Sequence, residues 1–150
     1  MRACLVSLVV VAACSTTGSD SLFPSDTTQF EMTSTGGLAP QAGSGSTCQP
    51  ENSTFTYVLA TRALAWTECT SPNDDGVYSF VPGQATLSAG DGAQLVAQLQ
   101  ALAPAPEACG GDFAATFVFT TSAGKQDTYA DAMCLTGASD VMDAVYAAAQ

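Results

Sequence analysis

Two pairs of cysteines bracket the two best β-patterned stretches of the chain, and that placement limits its fold more than any other feature. Cys48 and Cys69 flank one stretch, and Cys109 and Cys134 flank the other. Read as one strand, Thr54 to Glu68 would run about 50 Å at about 3.3 Å per residue, and Cys48 could not reach back to Cys69. A hairpin removes the conflict. Phe55 to Leu59 goes up, residues 60–63 turn, and Leu64 to Glu68 returns, so the two cysteines meet at the open end.

The second stretch repeats the logic. Phe113, Phe117 and Phe119 alternate on one face of a strand over 113–121. Gln126 to Met133 is the return strand. A three-residue turn, Ser122-Ala123-Gly124, puts Gly124 at the left-handed position of a bulge. It aligns Phe117 with Tyr129 and Phe113 with Met133, keeping the apolar side chains together. Four cysteines allow three pairings, and the hairpins favour Cys48–Cys69 and Cys109–Cys134. Each bridge would close a loop of roughly twenty to twenty-six residues, worth about 3 kcal/mol.

Around the hairpins, Gln29 to Thr33 alternates and reads as a first edge strand over 29–34. Ser71-Pro72-Asn73-Asp74-Asp75-Gly76 is a turn cluster, and 77–81 a short strand before Pro82-Gly83. A helix is expected over 89–103, capped by Ser88 with Asp91 and stopped by Pro104 and Pro106. Its apolar stripe is Leu95, Leu99 and Leu102. A second helix is expected over 140–149, capped by Ser139, with Val141, Met142, Val145 and Tyr146 inward. The order gives an α+β fold: a small antiparallel β-sheet of hairpins, two helices packed on one face, and two disulfides.

Disulfides require export from a reducing cytosol, and the N-terminus has the layout of an export signal. Arg2 is followed by an apolar run, Leu5 to Val11, then Ala12-Ala13-Cys14. Val11-Ala12-Ala13-Cys14 resembles the box that ends the signal peptide of bacterial lipoproteins. That resemblance implies cleavage after residue 13 and diacylglyceryl transfer to the Cys14 thiol, with further acylation of its amine. Two or three chains anchor stably where one is marginal. Ser15, being other than Asp, implies the outer membrane under enteric-type sorting. The domains are then a signal peptide at 1–13, a flexible tether at 14–47 and a stapled domain at 48–150. Cys4 leaves with the signal.

Removal of Arg2 leaves Arg62 and Lys125 against fourteen Asp and Glu, a net charge of about −12. Such a surface repels phosphate backbones, so nucleic acid is an unsuitable partner. The chain has no His, which excludes a Ser-His-Asp triad, a Cys-His dyad and a His metal site. Without CxxC the cysteines do not read as zinc ligands. Asn73 to Gly76 has too few alternating oxygens for calcium. Asp112 and Asp131 fall near each other across the second hairpin, but strand-end aspartates more often cap turns than catalyse. Trp66 reads as a buried sheet residue.

The expectation is therefore a non-catalytic protein without cofactor, held to the cell envelope by lipid on Cys14. Its expected role is binding an envelope or secreted protein. The alternatives are a protease inhibitor and a structural subunit of an envelope assembly. For the former, the strand–strand–helix–hairpin–helix order, with Gly36-Gly37 after the first strand, looks like that of emfourin-type inhibitors. No inhibitory residue carries over.

Overall fold

The computed structural model describes residues 22–36, 42–105 and 114–150. Its centre is a six-stranded antiparallel sheet. In chain order the strands are β1 (Thr27–Thr35), β2 (Ser53–Val58), β3 (Ala63–Thr70), β4 (Ser79–Thr86), β6 (Ala114–Thr121) and β7 (Gln126–Tyr129). They lie side by side as β4-β3-β2-β1-β6-β7. Helix α1 (Ala89–Gln100) follows β4, and α2 (Ala138–Ala148) closes the described chain. A two-stranded ribbon, β5 (Ala103–Pro104) with β8 (Leu135–Thr136), ties the end of α1 to the start of α2.

Period-two patterning decides which face each side chain takes. Phe30 and Met32 of β1, Phe55 and Tyr57 of β2, Leu64 of β3, and Phe117 and Phe119 of β6 all point to one side and are buried. Leu95 and Leu99 of α1 and Val141 and Val145 of α2 complete the same core. Phe30 sits at its centre, 5.2 Å edge-on to Phe117 and 5.5 Å stacked on Phe119 between ring centroids. The expected α+β class, antiparallel sheet and two helices are therefore observed.

The first hairpin forms as expected, with Phe55 opposite Trp66 and Tyr57 opposite Leu64. So does the second turn. Gly124 has φ 77°, and Phe117 lies opposite Tyr129. The expected Phe113–Met133 alignment lies outside the described residues. The return strand is shorter than 126–133. It stops at Tyr129, and the chain turns inward through a 3-10 turn at Ala132–Cys134 that buries Ala132 completely.

Five expectations are corrected. The stretch read as an edge strand over 29–34 is the third strand from one side of the sheet, paired to β2 and β6 over its length. It is also part of the folded domain: Phe23 is buried and packs edge-on against Phe119, so folded chain begins well before residue 48. The strand read as 77–81 runs through Pro82 and Gly83 to Thr86. Helix α1 keeps its Ser88 cap, whose Oγ accepts from Asp91 N at 3.2 Å, but ends at Gln100, three residues early, because Ala103–Pro104 pairs with Leu135–Thr136 instead. Finally, α2 starts before Ser139. Left-handed Gly137 precedes it and no side chain caps it.

A hydroxyl cluster fixes α2 to the sheet. Ser34 Oγ and Ser53 Oγ lie 2.6 Å apart, and Tyr146 Oη lies 2.7 Å from Ser53 and 3.0 Å from Ser34. Ser34 also donates to Glu51 O at 3.0 Å. Three protons serve four contacts, so the chain of donation runs Tyr146 to Ser53 to Ser34 to Glu51, and the longest hydroxyl contact has no proton of its own. Tyr146→Phe removes the first donor while keeping the ring against Phe55. We expect a loss of about 1–2 kcal/mol in chemical denaturation with the fold retained.

Candidate functional site

The described large apolar side chains left most exposed all fall in one segment. Val77 is 37%, Phe80 50% and Val81 40% exposed. This segment enters β4, which forms one edge of the sheet.

The segment is exposed and also braced. Cys48–Cys69 closes beside it, with Cα atoms 5.9 Å apart, and Cys69 lies directly opposite Phe80. Chain from 43 to 47 lines its outer side. Gly43 N donates to Gly76 O at 3.0 Å, Tyr78 N to Ser46 Oγ at 2.9 Å, and Thr47 N to Tyr78 O at 2.9 Å. The turn before it is held by side chains: Gly76 N donates to Ser71 Oγ, and Val77 N donates to Asp75 Oδ1 at 2.9 Å.

Backbone alternation shows how this edge can be used. Tyr78 turns its N–H and C=O away from β3, whereas Leu87 N donates to Arg62 O on the β3 side. The even-numbered residues of β4 therefore face outward, and Pro82 falls among them with no N–H to offer. An added strand would meet a gap between Phe80 and Gln84, the usual device that keeps sheet edges from pairing. Recognition here runs through side chains. Phe80 and Pro82 project to the face without helices, and Val81 to the helix side.

Trp66 fixes the strand behind. It is half-buried on the core side and lies across Gly83 of β4, where a Cβ would overlap the indole. An aromatic covering a neighbouring strand's glycine pins the register. Gly83→Ala must displace the ring. We expect a loss of roughly 1–3 kcal/mol and a red shift in fluorescence from this sole tryptophan.

The cations are sorted by end. The sheet end bearing the disulfide carries Glu51, Glu68, Asp74 and Asp75, and no Lys or Arg exists in the segments that form it. Both remaining cations lie at the opposite end. Arg62 is in the β2–β3 turn, where Nε donates to Leu87 O at 3.2 Å. Lys125 is in the β6–β7 turn, 2.8 Å from Asp127, whose hydrogen bond and charge raise its pKa. Burial pushes the Glu68 carboxyl up from its ordinary value. The folded protein therefore holds that proton more tightly than the unfolded chain. The contribution of this carboxyl to stability falls as pH rises through and above the ordinary glutamate range. Glu68→Gln should raise the neutral-pH melting temperature, with the gain fading on acidification to pH 4.

Two open cavities flank the far end of β4. One, of about 490 Å³, lies between the β4–α1 junction and α2, lined by Leu87, Ser88, Asp91, Leu95 and Ala144. The other, of about 480 Å³, is a trough along β3 over Ala63 and Ala65. In the first, Ser88 Oγ donates to Asp91 Oδ2 at 2.6 Å. That pair forms the cap of α1, with Asp91 N donating back to Ser88 Oγ at 3.2 Å.

Of the expected site residues, Cys48 and Cys69 are joined. Cys134 is disulfide-bonded, while Cys109 and Cys14 lie outside the described residues. Asp112 also lies outside them. Asp131 precedes the Ala132–Cys134 turn without capping it. Val77, Phe80 and Val81 escaped sequence reading as surface residues. The available signal was Pro82, which confines a strand to an edge.

No known protein family, curated protein or solved structure matches the chain.

Proposed function

We propose that the chain is an exported bacterial lipoprotein, anchored through acylated Cys14, whose folded domain is a non-catalytic binding module of the cell envelope. The observation that carries the binding reading is the braced segment from Val77 to Pro82. It keeps apolar side chains in water on rigid backbone, which costs solubility and is retained where a partner covers them. The export reading is supported by the Val11–Cys14 box and by the oxidised cysteines. The second staple in this reading joins Cys109 to Cys134. Absence of His excludes the triads and dyads built on imidazole.

The test is fractionation of native cells expressing the wild type and Cys14→Ser. The wild type is expected in the membrane fraction at a mass lacking residues 1–13. The variant should carry no lipid and keep its leader. Wild type in the cytosolic fraction would overturn the proposal.

A further inference from the structure

We infer that the disulfide-bearing corner of the sheet docks a basic protein surface, one that presents an apolar side chain between Lys or Arg residues, and that the lipid anchor holds this corner away from the membrane. The second clause rests on the proposed anchor at Cys14.

The geometry places entry and docking corner apart. Described chain enters beside β7, where Tyr129 Oη donates to Leu22 O at 3.1 Å and Phe23 packs on Phe119. Phe80 lies on β4, at the other edge of the sheet and nearer the other end of the strands. Five strand spacings separate β7 from β4, about 24 Å. Fully extended, the chain from Cys14 to Leu22 spans at most about 28 Å. Bringing Phe80 to the bilayer would consume nearly all of it. Charge acts in the same direction. Both cations, Arg62 and Lys125, sit at the end where β1 begins, with Asp26 and Asp127 beside Lys125, whereas the disulfide end carries carboxylates and no cation and would be repelled by anionic headgroups.

The same charges choose the occupant. Glu51, Asp74 and Asp75 lie in the loops at the same end of the sheet as the exposed apolar side chains, and that end carries no Lys or Arg. A second copy of this chain would bring the same carboxylates and is disfavoured. Pro82 blocks strand addition, so a passing β-edge is also a poor fit. A basic surface with an apolar knob answers both the charge and the exposed side chains, and acidic steering would speed its arrival at low salt.

The experiment places a benzophenone amino acid at position 80, at position 77, or at position 122 in the opposite turn, in the full-length protein in native cells. After irradiation, cross-linked peptides are sequenced. The expected result is an adduct from position 80 or 77, absent from 122, to a protein segment carrying Lys or Arg beside an apolar residue. Neutralising two of these carboxylates with Asp74→Asn and Glu51→Gln should lower the yield at least fivefold while the unfolding midpoint holds. The purified partner should bind more weakly as salt rises. Adducts to lipid, to a second copy or to an acidic segment would overturn the inference. So would no adduct from either position in folded protein, or a yield indifferent to neutralisation. If the wild type proves soluble while the adduct persists, the anchor reading fails and the docking surface stands.

Discussion

Phe30→Ala is expected to lower unfolding free energy by about 3–5 kcal/mol. Phe30 is 1% exposed on a strand paired on both sides, and its ring touches both Phe117 and Phe119. Truncation leaves a cavity walled by rings on neighbouring strands, which cannot collapse without breaking the ladder. Domains of this size have a total stability of roughly 5–15 kcal/mol, so the loss is a large fraction of the whole. Urea denaturation checks it: the midpoint should fall sharply with the slope unchanged. Phe80→Ala is the control. An equally large aromatic is removed from an exposed position, and the change should stay within about 0.5 kcal/mol. A large loss at position 80 would mean that its ring supports the fold, and the docking surface would lose its basis.

Replacing Cys48 and Cys69 together by serine is expected to cost about 3 kcal/mol, from the loop the bridge closes. The effect should also be local. The bridge ties the stretch bearing Ser46 and Thr47 to β3, and that stretch supplies the partners of Tyr78. Hydrogen exchange at Thr47 and Tyr78 should accelerate far more than at Phe30. Uniform acceleration would show that the bridge stabilises the domain without organising its exposed edge.

How much of this was legible depended on whether local patterning carried the information. The first hairpin and the Gly124 turn were readable because alternation, turn chemistry and cysteine position converge on one register. The place of β1 was not. Gln29 to Thr33 alternates as an edge strand would, and its two partners, β2 and β6, come from residues 53–58 and 114–121. Nothing in nine local residues states that pairing. The end of α1 and the start of α2 were misjudged for a related reason: the ribbon of β5 with β8 is a contact between distant residues that outweighs a few more residues of helix. The exposed edge was hidden by composition. Val77, Phe80 and Val81 look like any buried strand, and only Pro82 marks the strand as one that pairs on a single side.

The account as a whole stands on the protein being processed and oxidised outside the cytosol. The most direct measurement is the intact mass of protein extracted from native membranes, taken with and without a thiol-alkylating reagent under denaturing, non-reducing conditions. The predicted result is a chain beginning at Cys14, heavier by a diacylglyceryl group and any further acyl chain, that takes up no alkyl group until reduced and four thereafter. A full-length mass without lipid, alkylated at every cysteine before reduction, would contradict it.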